Sequence, residues 1–449
     1  MANVVTDNCF QYRRALVMRL CRFAVLLMFG CLSLDLATTV ADDKAEARRR
    51  VEDLIRGLDG STLAERSRAE RQILELGTPA LSLLPPSELI ETASAREAVR
   101  RIRVQLERQA ARESSAASVV TLMGDRTTDE VLAEIARQTK NRIELTGDDR
   151  SLGSKHLQTD WDKKSFWDCL NDLCHQEAFD WKFDRSDSVI VLGRNDPSRQ
   201  QPLGLQTSGP FQIVIDTTEV RPVIGDETQR IVRVAGRISA EPRLRPLFLS
   251  MNSIDLVATV DNDHTLAAWN PDSKYEFPVS GSEAPVRWDF RLPKGAKAMT
   301  LSIRGRMNCQ IAVATERVLF DQKSLVRGTI RRRGGVSVRL RQVSFESGEP
   351  NKLNGNIGIT VNYDTGGPAF ESHRSWIFHN AAYVETPDGL RTNFADCEVS
   401  QQTDGAVAVD YRWKQIDAPF ERYRFVYEAP TLITDVPVEM NLQTIPIQE

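Results

Sequence analysis

The sequence predicts a multi-domain α+β and all-β protein: a helical hairpin segment, a small βαββαββ two-layer sandwich, then two antiparallel β-sandwiches. Three observations carry this. Apolar residues recur at helical spacing across 42–112 and in two short runs within 116–195. From Pro210 onward apolar and polar residues alternate, with turns every 8–15 residues, which is the mark of half-buried antiparallel strands. The 449 residues exceed one ordinary domain of ~150.

The N-terminus reads as an export signal over 1–41. Arg13, Arg14, Arg19 and Arg22 precede the apolar run 23-FAVLLMFGCLSL-34, and small residues at Thr39 and Ala41 suit cleavage. The run is shorter than the ~20 residues a membrane helix needs. Met18 as the start gives a more usual leader length; a lipoprotein at Cys31 and an uncleaved anchor are the alternatives. No later stretch is apolar enough to span a bilayer, so the expected location is the periplasm or cell surface of a bacterium. Net charge is −4, and removing the leader leaves 54 basic and 60 acidic residues. That balance argues against nucleic acid as a partner, because phosphate binding needs a positive footprint. Cys169, Cys174, Cys309 and Cys397 remain after the leader, too few for a disulfide scaffold, with a Cys309–Cys397 bridge left open.

Residues 42–115 read as helices. Val51, Leu54, Ile55 and Leu58 share one face. Thr62 with Glu65 forms a capping box, Thr78-Pro79 restarts a helix after Gly77, and Ser94 with Glu97 caps a last one. The phrase 68-RAERQILELGTPALSLLP-85 resembles a HEAT-type helix–turn–helix, present in about one and a half copies where a solenoid needs three or more.

Residues 116–195 read β-α-β-β-α-β-β. Thr127 and Glu130 cap a helix with Val131, Leu132 and Ile135 on its face; Phe166, Cys169, Leu170, Leu173 and Cys174 define the second. Ser186-Asp187 signals a hairpin between the last two strands. Two helices on one face of a small sheet make a two-layer sandwich. The stretches 119-VVTLMGDRTTDEVLAEIARQTKNRIEL-145, 166-FWDCLNDL-173 and 187-DSVIVL-192 resemble the secretin and TonB short N-terminal (STN) domain. The resemblance covers about 80 residues. It implies a periplasmic protein-docking module. In that family a secretin or receptor barrel follows; here the chain continues into β-sandwiches, so the docking character is what carries over.

Residues 196–209 have linker composition. Sandwiches are expected at 210–323 and 324–449. In the first, Val232, Val234 and Ile238, then Val286, Trp288, Phe290 and Leu292, then Met299, Leu301 and Ile303 alternate with polar residues. In the second, Val336, Val338 and Leu340, then Ile357, Ile359 and Val361, then Val407, Val409, Tyr411 and Trp413, then Tyr423, Phe425 and Tyr427 do so. The likeness to immunoglobulin (Ig-like) domains is architectural, since the Cys…Trp…Cys spacing is missing.

No reactive set is patterned in the sequence, so no catalytic, metal or cofactor residues are assigned. His373 and His379 fall on one strand face without a third ligand. Asp261 and Asp263 alternate like calcium ligands, but the glycine and glutamate of an EF loop are missing. The unusual feature is 327-RGTIRRRGGVSVRLR-341. Gly334-Gly335 suits a two-residue hairpin, and Arg327, Arg331, Arg332, Arg333, Arg339 and Arg341 then form a basic ribbon on one face. Guanidinium forks suit sulfated or carboxylated polysaccharide, or an anionic protein surface. Solubilising arginines on an edge hairpin are the plainer reading. The expectation is a non-catalytic exported envelope protein acting in adhesion, assembly or as a scaffold, with an envelope protein or anionic polysaccharide as partner. The alternatives are a carbohydrate-binding or carbohydrate-processing component, favoured by exposed Trp269, Trp376 or Trp413 beside paired carboxylates, and an accessory of an outer-membrane transport machine.

Overall fold

The structure, a computed structural model, describes residues 46–85, 89–146, 152–184, 189–195, 201–261, 264–293, 295–296, 298–333, 335–363, 380–403 and 406–448. The leader, Ser186, Asp187, the linker's first five residues (196–200), Asp263, Gly334, His373, Trp376 and His379 lie outside these. The chain forms two compact units that divide between Ala110 and Ala111.

The first unit is helical. Helix α1 (46–57), helix α2 (Leu63–Glu75) and helix α3 (Ala93–Ser115) bury Val51, Leu58, Ala69, Ile73, Val99, Ile102 and Leu106 in one core. The Thr62–Glu65 capping box is present. The restart at Thr78-Pro79 is a 3-10 turn, Thr78–Ser82, preceded by Gly77. The last cap is two residues earlier than expected: Thr92, not Ser94, accepts the Ala95 amide through its hydroxyl at 3.3 Å. Both residues are hydroxyls followed by a helical run, and sequence alone does not rank them.

The second unit begins with the α+β module. Its order is strand Val119–Thr127, helix α4 (Thr128–Thr139), strands Arg142–Leu145 and His156–Ser165, helix α5 (Phe166–Glu177), and strands Phe179–Phe183 and Val189–Arg194. Thr127 and Glu130 cap α4 reciprocally. The expected single sheet is two: an antiparallel ribbon of Val119–Thr127 with His156–Ser165, and a three-stranded sheet in which Arg142–Leu145 runs parallel to Val189–Arg194. Val120, Leu132, Ile135, Trp161, Phe166, Trp167, Leu170 and Ile190 close one core.

The sandwiches are built on a shared wall. An eight-stranded sheet contains two long strands, Thr300–Phe320 and Arg424–Pro446, paired over nearly their whole length. A four-stranded sheet (Glu283–Leu292, Asp226–Ala240, Phe211–Val223, Gly204–Ser208) encloses one core with it. That core holds Trp288, Phe290, Ile303 and Met307, together with Val438, Met440, Leu442 and Ile445 from the far end of the chain. A five-stranded sheet (Ile330–Arg333, Val336–Ser347, Lys352–Tyr363, Ala406–Asp417, Asp396–Thr403) encloses the other. There Val338, Ile359, Tyr411, Trp413 and Phe425 meet Leu247, Phe248, Val318 and Phe320. Each buried aromatic or branched side chain contributes about 1.5–3 kcal/mol. The expected boundary near 323/324 therefore divides the sequence but not the strands.

The expected linker is also partly structured. Gly204–Ser208 pairs with the strand that begins at Phe211. The module is fastened here rather than tethered: Trp167 Nε1 donates to the Pro210 carbonyl at 3.0 Å, Thr207 Oγ1 to Asp168 at 2.7 Å, and Gln212 Nε2 to Asn171 at 2.7 Å. Among the described residues no helix is long and apolar enough to cross a membrane.

Candidate functional site

The two strands flanking the glycines pair as a hairpin. Gly335 has φ 78°, a conformation side chains resist, and Ile330–Arg333 pairs with Val336–Arg339 in register. The partner strand is anchored by Val336, Val338 and Leu340, all fully buried. Ile330–Arg333 itself is exposed along its whole length at the sheet edge.

The six arginines do not share one face. Residues opposite each other in an antiparallel pair point the same way. Arg331 opposes Val338 and Arg333 opposes Val336, so these two lie on the side of the core, beyond its margin. Arg339 opposes Ile330, and Arg332 opposes Ser337, on the outer side. Three consecutive strand residues cannot lie on one face, and Arg331, Arg332 and Arg333 are consecutive.

They also differ in what holds them. Arg341 is structural: its Nη2 donates to both oxygens of Asp410, at 2.7 and 2.8 Å, and to Ser400 Oγ at 2.5 Å. Gly358 lies between the two strands, and a Cβ there would collide with the Asp410 carboxylate. Arg332 has an interaction of its own. Arg331 helps hold the Asp321 carboxyl below its usual range, after the Ser324 hydroxyl and amide, which do most of it. Arg327, Arg333 and Arg339 are exposed and make no hydrogen bond or ion pair with the described residues.

Elsewhere on the sandwiches several arginines face carboxylates, while Arg287 and Arg304 stand singly exposed without a hydrogen bond or ion pair to the described residues. Arg233 grips Asp289 with Nε and Nη2, both at 2.8 Å. Arg237 meets Asp216 at 2.5 Å. Arg412 reaches Asp396 at 2.9 Å and also contacts Glu398.

A second charged cluster escaped the sequence reading. Glu385, 2% exposed, accepts Arg317 Nη2 at 2.8 Å. Arg424 Nε lies 2.7 Å from the same oxygen but off its N–H axis, so it contributes charge rather than a hydrogen bond. The Tyr383 hydroxyl donates to Glu428 at 2.8 Å, and Arg391 stacks on the Tyr383 ring at 4.4 Å. Burial, then Glu428, pushes the Tyr383 phenol up. Arg317 and Arg391 each reach both glutamates. These residues come from four strands, so no local spacing announces them.

The other candidates resolve into structure. Asp261 Oδ1 braces a turn by accepting the Met299 and Thr300 amides, each at 3.0 Å. Cys169, Cys174, Cys309 and Cys397 are free thiols, and no Cys309–Cys397 bridge exists. Trp413 is buried, its Nε1 bonded to the Thr392 carbonyl, and Trp269 is half-buried beneath Arg291. Among the described residues no three His, Cys, Asp or Glu side chains gather to hold a metal. No protein-family model matches the chain, and comparison with curated proteins gives no match.

Proposed function

We propose that the chain is a non-catalytic exported envelope protein that acts by binding, as an adhesion, assembly or scaffold component, with an envelope protein or an anionic surface polymer as partner. The observation that supports this is how the arginines are sorted. Arg233, Arg237, Arg341 and Arg412 face carboxylates and stiffen the sheets, whereas Arg327, Arg333 and Arg339 crowd one edge hairpin and face solvent. Exposed surface ion pairs contribute about 0–1 kcal/mol each, so pairing the hairpin internally would gain little, while unpaired guanidinium groups remain available to an anionic partner. The reading of 116–195 as an STN-type docking module rests on its element order and hydrophobic positions, and export rests on the leader's composition.

The test has two arms. The full chain, incubated with a broad glycan and ester panel, gives no turnover. Immobilised, it retains an envelope component that salt releases and that the variant R331E/R333E/R339E no longer retains. Turnover abolished by Glu385→Gln or Glu428→Gln would replace this reading with a catalytic one.

A further inference from the structure

We infer that the hairpin's ligand is a linear anionic polysaccharide, gripped from both faces of the edge ribbon. This rests on the binding reading above and narrows its partner. Cations project on both sides: Arg331 and Arg333 on one, Arg339 on the other. A rigid protein surface meets one face of a ribbon. A flexible chain can pass around its exposed edge and reach both. Arg331 and Arg333, two residues apart, are spaced by ~6.6 Å along the strand, a separation that lets successive charged sugars be held in one run.

The surroundings favour a sugar over a protein. Tight protein interfaces centre on buried aromatic anchors, and residues 327–341 contain no aromatic. The same lack disfavours single-stranded nucleic acid, whose bases stack on aromatic rings. The exposed apolar side chains nearby are Val326 and Ile330. Thr329 and Ser337 supply hydroxyls of the kind sugars hydrogen-bond. With a net charge of −4, the average surface repels a polyanion, so binding is confined to the ribbon and steepened by low salt.

The test titrates the full chain with heparin, polygalacturonate and neutral dextran at low and at several-fold higher salt. Variants are R331E/R333E on one face, R339E on the other, and Arg287→Glu as an exposed arginine elsewhere; thermal unfolding checks that each is folded. Binding to heparin or polygalacturonate but not dextran, weakened by salt, supports the proposal, and the stronger of the two names sulfate or carboxylate as the preferred group. R331E/R333E and R339E should each lower affinity about ten-fold or more, with Arg287→Glu changing little. No saturable binding to either polyanion overturns it, as does loss confined to one face or equal loss with Arg287→Glu. If no polyanion binds while the hairpin still governs retention of an envelope protein, the polysaccharide inference falls and the binding reading stands; if both are lost, both fall.

Discussion

The carboxylate of Glu241 accepts both the backbone amide of Ser118, at 2.9 Å, and its hydroxyl, at 2.6 Å, across 123 residues of sequence. Glu241 is fully buried, and Asn141 Nδ2 and Arg243 Nε complete its shell at 3.0 and 2.6 Å. Arg243 in turn caps the carbonyls of Ser114 and Ala116. One carboxylate thus pins the α+β module to the turn after strand Asp226–Ala240. Glu241→Ala should lower unfolding stability by about 2–4 kcal/mol, because it leaves the Ser118 amide and hydroxyl, Asn141 Nδ2 and Arg243 Nε without their acceptor. Denaturant unfolding reads the loss, and amide exchange should quicken first around Ser118 and Asn141. A change below about 0.5 kcal/mol would show that the clasp is dispensable.

Gly358 makes room for the Arg341–Asp410 pair. Gly358→Ala should displace the carboxylate and destabilise by about 1–3 kcal/mol through crowding and a broken charge-assisted bond. Arg333→Ala, at the free end of the same hairpin, should stay within about 0.5 kcal/mol. Paired thermal melts separate the two. Equal effects would mean that the arginines are not sorted as described.

Burial pushes the Cys169 and Cys174 thiols up to about 12 and raises Cys309 further, while Cys397 rises less. Thiolate is the reactive form. At neutral pH a thiol reagent should label Cys397 first, at the half-exposed edge strand, and reach the others only on unfolding. Rapid labelling of Cys169 in the native state would contradict the buried placement of α5.

Glu134 on α4 accepts Arg137 Nε at 2.8 Å and Gln138 Nε2 at 2.6 Å, and these bonds lower its carboxyl from near 4.5 to about 2. A depressed folded value means that the contribution is present above the unfolded value and is lost as pH falls through the folded one. Gln138 also holds both backbone groups of Thr121. Amide exchange in 119–139 should therefore quicken as pH falls from about 4.5 towards 2 relative to the rest of the unit, and Glu134→Gln should flatten that difference. No difference between wild type and variant would remove Glu134 from the account of acid sensitivity.

Much of the fold was legible because alternation reports which side chains are buried. Val336, Val338, Leu340, Ile357, Ile359, Val361, Tyr411, Trp413, Phe425 and Tyr427 all face the core. Met299 marks the limit of that rule: the strand begins at Thr300, and Met299 is exposed. Alternation is silent on which sheet a strand joins, so the shared eight-stranded wall, with Arg424–Pro446 serving both cores, could not be read from it. Glu241 was hidden for a related reason, because Ser118 and Asn141 are a hundred or more residues distant and each looks ordinary alone. The arginine hairpin was found from composition and its turn glycines. Its division between two faces follows from strand geometry that three consecutive arginines already imply.

The most direct measurement is retention of an envelope component on the immobilised full chain, compared between wild type and R331E/R333E/R339E at matched stability. Salt-sensitive retention by the wild type, abolished in the variant, is the expected result. Undiminished retention by the variant would show that the hairpin arginines are only a solubilising edge.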